Sequence, residues 1–486
     1  MGKVIDLTKL DGAHSLGKNF STFVLGDEIK EALEKLLDAV KQGKNVKDSD
    51  GYTANNLFID GRRGSGKTTI LLTIKELLEN DFKVDIPEEL EHETKEELRN
   101  LITELKKYSF QVVDSIIDTS VNTASITFYF LSWLKKQIEK EYESDLELNE
   151  QLHKTIKIFP DYLKSCDKTC LDMSPDGDIE EKLDQSDLNF RKELFKLIDM
   201  LLERKSCGES SFIVLFIDDL DISFPPQRIQ KILTEIFMFL SHPKLIIVSA
   251  GNYRNLVDIL TCHVHNKIDR ETESCLSVDN NYANIAKSFL EKVFATYTIK
   301  ISPLNYAYFM SCQIKYSNKK ETINVKNFLK KLGIFRILDI ESTPCKILFS
   351  NLSLREAILI LKDIKNKIQK ESNNPENPFI IDLCFTDTYC KIKKINVPFP
   401  FETRMRAKIK DQYKESEIPF IMEYIEAINQ TKTEEKSKSI EKQVFLIWLV
   451  ESEYFMGSFF PLLSILLLKQ WSNKATRKVE FFDIEF

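Results

Sequence analysis

The chain has 486 residues, a formal net charge of -7, 43% hydrophobic and 29% charged residues. That length holds about two to four domains, and 33 phenylalanines supply large cores, so a chain disordered throughout is excluded. The charge is unevenly spread, because residues 300–415 carry about ten more Lys and Arg than Asp and Glu.

Residues 23–42, FVLGDEIKEALEKLLDAVKQ, place Ile29, Leu33, Leu36, Leu37 and Val40 at helical spacing. This predicts an amphipathic helix. The polar GKNVKDSDGYTANN reads as a loop, NNLFID as a strand, and residues 67–79 as a helix. An acidic, helical stretch runs to about 107, and FQVVDSIID predicts a second strand. From about 123 to 207 the period is helical again, with Leu131, Leu134 and Ile138 on one face and Leu194, Ile198, Leu201 and Leu202 on another. The acidic LDMSPDGDIEEKLDQSD between them reads as a loop.

Two more buried strands follow, FIVLFIDDLD at 212–221 and KLIIVSAGN at 244–252, with a helix between them that carries Ile229, Ile232, Ile236 and Phe239. TYTIKI supplies a fifth strand. Strands alternating with helices predict an α/β fold, a parallel sheet flanked by helices. Residues 1–305 would form this domain, with a helical insertion over about 79–207 that includes one core strand near 109–118. Residues 306–486 would form a mostly helical C-terminal region, broken by KESNNPENPF and NVPFPF.

Between the first strand and its helix stands GRRGSGKTT, residues 61–69. Gly61, Gly66, Lys67 and Thr68 fit G-x-x-x-x-G-K-[ST], the phosphate-cradling loop, in the strand-to-helix context that gives the motif meaning. The phosphate-binding set is then Gly61, Arg62, Arg63, Gly64, Ser65, Gly66, Lys67, Thr68 and Thr69. Backbone N–H groups and the helix N-terminus face the anion, Lys67 neutralises β- and γ-phosphates, and the Thr68 hydroxyl ligates magnesium. The expected ligands are ATP and Mg2+.

FIVLFIDDLD ends a buried strand in carboxylates, at the sheet edge where such a loop sits. Asp218 would hold the magnesium, and Asp219 would orient or deprotonate a water. Aspartate reaches less far than glutamate, so slow turnover is expected. After KLIIVSAGN, Asn252, or failing that Ser249, is the polar candidate for contact with the γ-phosphate. Arg254 and Arg270 are candidates for a finger reaching a neighbouring subunit's nucleotide, and Arg355, in SNLSLREAILIL, for a phosphate contact from a helix start.

Nine cysteines show no paired metal spacing. Their odd number, with no secretory leader, fits reduced thiols and a cytoplasmic location. Cys262, His263 and His265 form a weak metal candidate. The apolar VFLIWLVESEYFMGSFFPLLSILLLKQW is split by Glu451 and Glu453 and interrupted by Pro461, so it reads as two buried helices and no membrane span is expected.

With these residues in view, the chain resembles P-loop NTPases of the AAA+/STAND group, and among them KAP-type and bacterial antiphage-defence ATPases. FIDDLDI resembles the DDLDR Walker B segment of KAP-type proteins, with Ile222 in place of the arginine. AKSFLEKVFATYTIKISPL is similar to the YLEKI helix and following strand of that group, GRRGSGKTT to its Walker A, and VVDSIIDTS to an IDPT stretch of defence ATPases. The likeness covers residues 23 to about 305 and the region near 355. It implies slow ATP hydrolysis, a homo-oligomer and an effector protein partner in antiphage defence. Two other functions stay open: a nucleic-acid remodelling ATPase gripping its substrate through basic residues 300–415, including Lys391, Lys393 and Lys394, and a noncatalytic scaffold gated by nucleotide.

Overall fold

The computed structural model describes residues 3–7, 13–45, 55–88, 90–119, 125–165, 185–205, 210–222, 226–271, 279–294, 297–315, 322–331, 353–359 and 361–362. They fall into two compact units, Gly12–Ser302 and a second that combines Gly2–Asp11 with the chain from Pro303 onward. Strand β1 (Val4–Asp6) belongs to the second unit.

The first unit is built on a six-stranded parallel sheet of β2 (Asn56–Asp60), β3 (Ser109–Val112), β4 (Ile117–Asp118), β5 (Ser211–Asp218), β6 (Leu245–Gly251) and β7 (Tyr297–Lys300). The order is β3-β5-β6-β2-β7, with β4 also paired to β5. Every residue of β5 and β6 is buried. Their unbroken apolar runs, SFIVLFID and LIIVSAG, suit strands covered on both faces.

The helices of this unit are α1 (Gly26–Asn45), α2 (Lys67–Glu79), α3 (His92–Leu105), α4 (Ile126–Glu141), α5 (Leu146–Ser165), α6 (Gln185–Lys205), α7 (Pro226–Met238), α8 (Tyr253–Glu271) and α9 (Asp279–Phe294). The chain leaves β2 toward β3, but leaves β5 and β6 in the opposite direction across the sheet. Right-handed crossovers then require helices on opposite faces. The packing agrees: α1, α2 and the sheet pack together, while α7, α8 and α9 pack on one another, with α9 against β2. Ile29, Leu33, Leu36, Leu37 and Val40 of α1 are all buried, as their spacing predicts.

The insertion is part of the main core. Phe130, Trp133, Phe159, Phe190 and Leu194 from α4, α5 and α6 belong to the same buried cluster as Ile213 of β5 and Ile232 of α7. Each large apolar side chain so buried stabilises the fold by about 2 kcal/mol. The strand expected at 110–118 is split. Val112 pairs with Val214 and Ile117 with Ile217, so five steps of chain span three on β5. The two surplus residues cannot stay in the ladder, and pairing lapses between β3 and β4.

In the second unit β1 pairs in parallel with β8 (Gln313–Lys315), which pairs antiparallel with β9 (Ile323–Asn324), beside the short helices α10 (Tyr306–Ser311) and α11 (Val325–Lys331). The expectation of a mostly helical region contained no such sheet, because its strands are two or three residues long and one comes from the chain's start. The KESNNPENPF and NVPFPF segments, the basic residues Lys391, Lys393 and Lys394, and the apolar stretch near 444–471 lie outside the described residues. Among the described residues no helix is long and apolar enough to cross a membrane.

Candidate functional site

Connections leave β2 and β6 in opposite senses, and the C-terminal ends of two such neighbours are where open α/β sheets bind ligands. The glycine-rich loop starts there. Asp60 is level with Gly251, and the Gly61 N–H donates to the Gly251 carbonyl at 3.1 Å. Because β6 lies between β2 and β5, the strand tips carrying Asp60 and Asp218 are two strand spacings, about 10 Å, apart. The loop crosses that gap. Thr68 Oγ1 donates to Asp218 Oδ2 at 2.6 Å.

Backbone geometry explains the loop's composition. Gly66 precedes α2 with φ of 108°, a conformation that side chains with a Cβ avoid, and a Cβ there would lie 2.4 Å from Leu25 Cδ1. At Gly61 a Cβ would come within 2.4 Å of Ser65 Oγ. Among the described residues no side chain caps α2, and no acidic residue stands in its first turn, so the N–H groups that open the helix keep their positive character for an anion.

Lys67 is only 7% exposed. Its ammonium donates to the Gly61 carbonyl at 2.9 Å and lies 3.4 Å from that of Arg62, so a cation is held within the curve of the loop. Ser65 is as buried, and its Oγ has no hydrogen-bond partner among the described residues. A buried hydroxyl without a partner is costly unless something polar meets it. Arg62 and Arg63 are exposed. The Thr69 carbonyl accepts from Thr73 Oγ1 within α2.

Asp218 is buried at the tip of β5. Burial pushes its carboxyl above the usual range, although Thr68, the Asp219 N–H and the Lys67 ammonium pull the other way. Asp219 is also raised, by burial first and then by the charge of Asp218. Its φ of 54° puts a non-glycine residue in the left-handed region, and its N–H donates to Asp218 Oδ1 at 2.9 Å. Two adjacent carboxylates thus share one strand tip, each with its charged form disfavoured.

The remaining candidates are arranged differently. Asn252 Oδ1 accepts from the Asn255 N–H at 3.3 Å and so caps α8, one residue beyond the Gly251 that meets the loop. Ser249 is fully buried within β6, its hydroxyl donating to the Leu57 carbonyl. Arg254 is exposed on the first turn of α8. Arg270 stands near the other end of that helix, about 25 Å along its axis. Arg355 belongs to the second unit, exposed on a helical segment at 354–359 whose start is closed by reciprocal Ser353 and Glu356 hydrogen bonds. Cys262, His263 and His265 all lie on α8, and His263 is one and two residues from the other two, spacings that do not share a helix face. Among the described residues no group of three or more His, Cys, Asp or Glu is placed to hold a metal.

Two residues of the neighbourhood were not singled out from the sequence. Asp60 Oδ1 accepts from the Tyr253 N–H at 2.8 Å, tying the loop's strand to the start of α8. Thr119, 1% exposed at the end of β4, donates to the Asp219 carbonyl at 2.8 Å and to that of Asp218 at 3.2 Å. The sequence marks Thr119 by its place in VVDSIIDTS, which reads as a strand and is similar to an IDPT stretch, and by nothing that ties it to Asp219.

The assembled site offers a backbone cradle with a buried cation, a buried unsatisfied hydroxyl, and a hydroxyl–carboxylate pair beside a second carboxylate. No protein-family model matches the chain, and no curated protein matches it.

Proposed function

We propose that this chain is a P-loop nucleoside triphosphatase that binds ATP with Mg2+ and acts as a nucleotide-dependent switch. The observation that carries the reading is the 2.6 Å hydrogen bond from Thr68 to Asp218, which joins the loop to the acidic strand tip across an intervening strand. The residues fit a polyphosphate: Gly61 and Gly66 leave room that a Cβ would fill, Ser65 presents an unsatisfied hydroxyl, and Lys67 carries a buried positive charge.

Thr68 and Asp218 provide two oxygens for magnesium, a small protein share that suits an ion otherwise held by phosphates and water. When bound, that ion would neutralise charge on the β- and γ-phosphate oxygens. Lys67 holds the phosphates. Asp219 accepts a proton from the attacking water, and its raised pKa makes it the better base. The likeness of FIDDLDI and GRRGSGKTT to KAP-type and defence ATPases supports a switch that assembles with itself and an effector protein, in a role that resemblance alone carries.

Phosphate release from Mg-ATP tests the reaction. Asp219→Asn is expected to lower turnover by about a hundredfold or more while nucleotide binding persists. Full turnover in this variant would remove Asp219 from the mechanism, and binding without turnover in the wild-type chain would favour the noncatalytic scaffold. Stimulation by polynucleotide that fades with salt would favour the remodelling ATPase.

A further inference from the structure

We infer that Thr119 is a positioning residue that fixes the backbone of Asp219, so that strand β4 of the insertion sets the orientation of the water-side carboxylate. The inference rests on the reading of Asp219 as that carboxylate.

Aspartate enters the left-handed region more readily than most residues with a Cβ, but still at a cost that its surroundings must hold. Asp219 has φ of 54°. Its N–H is held by Asp218 Oδ1 at 2.9 Å. Its carbonyl accepts from the Ile222 N–H at 3.0 Å and from Thr119 Oγ1 at 2.8 Å. The first two contacts are local to the strand tip and turn with it. Thr119 is the contact that comes from elsewhere, 100 residues away in sequence, and it is anchored independently: its own N–H reaches the Asp218 carbonyl at 3.3 Å, and Asp118 is paired with Asp218 in the sheet. The hydroxyl therefore refers the peptide of Asp219 to the ladder of β4 and β5.

The position also makes a clean test. In Thr119→Val the branched shape stays, the Thr119 N–H still reaches the Asp218 carbonyl, and the Asp219 carbonyl keeps the Ile222 N–H. The Asp218 and Asp219 carbonyls each keep a backbone donor, so at these two groups the variant removes orientation more than hydrogen bonding.

Three proteins, wild type, T119V and T119S, are compared as full chains. T119V is expected to lower kcat for Mg-ATP by about ten- to a hundredfold, the scale of a displaced catalytic group, with KM unchanged. T119S, which keeps the hydroxyl, is expected to restore kcat. Hydrogen exchange without nucleotide gives a second readout: peptides covering residues 213–222 should exchange faster in T119V, and those covering the loop at 61–69 should not. Should T119V fold poorly, Thr119→Cys keeps a similar volume with only a weak donor and is expected to show the same pattern. Wild-type turnover together with an unaffected T119V, or unchanged exchange at 213–222, would overturn this inference alone. A wild-type chain that binds no Mg-ATP would overturn the ATPase reading, and the catalytic role of Thr119 with it.

Discussion

At the residue scale, the site works against its own stability. Asp219 faces Asp218, Asp118, Asp221 and the Lys67 ammonium, and burial with the neighbouring carboxylate raises its pKa. A carboxyl whose pKa is raised by folding contributes most below its unfolded value of about 3.9 and loses that contribution as pH rises through the raised value. D219N escapes the loss. It should melt above wild type near pH 8, the gain shrinking toward zero below the unfolded value of about 3.9. A gain that ignores pH, or a loss at pH 8, would contradict the assignment of strain to charge. Gly66→Ala belongs to the same scale: a positive φ and the approach to Leu25 should lower stability by about 1–3 kcal/mol, read from a urea midpoint. Lys67, Thr68 and Asp218 were legible in sequence because loop and helix form over adjacent residues and an apolar strand that ends in acid declares its tip. Thr119 stands in a stretch that is legible as a strand, but its contact with Asp219 is not, because parallel pairing joins segments 100 residues apart.

At the element scale, a buried carboxylate adds a polar tie between the insertion and the core that their shared apolar cluster already joins. Glu235 of α7 accepts through Oε2 from the Thr127 N–H at 2.9 Å, Ser125 Oγ at 2.8 Å and Thr127 Oγ1 at 3.1 Å. It therefore closes the N-terminal turn of α4, where Ser125 Oγ in turn accepts from the Phe128 N–H. Burial raises the Glu235 pKa, opposed by the Thr127 and Ser125 donors and by Lys231. Glu235→Ala leaves buried donors without an acceptor and should cost about 2 kcal/mol. Glu235→Gln keeps an acceptor and removes the titration. Because the folded pKa is raised, wild type should lose stability relative to E235Q as pH rises above the unfolded glutamate value of about 4.3, and urea midpoints that stay parallel from there to neutral pH would contradict this. Periodicity revealed α1, α2, β5 and β6, since one face or both faces of each are apolar. It merged β3 with β4, because the residues that leave the ladder remain as apolar as those within it.

At the scale of the whole molecule, the α/β class and the parallel sheet were readable from alternating strands and helices, whereas the strand order was not. No local pattern announces that β6 lies between β2 and β5, yet this order sets the span that the loop must cross. Nor could composition assign β1 to the second unit, because a three-residue strand carries too little pattern to choose a partner. The central claim is that Lys67, Thr68 and Asp218 together hold a magnesium nucleotide. Calorimetric titration of Mg-ATP into wild type and Lys67→Ala tests it most directly: the account predicts saturable, magnesium-dependent binding at one site per chain, weakened at least about tenfold in the variant by loss of a buried charge–phosphate contact. Equal affinity in the two proteins, or no binding by wild type, would contradict it.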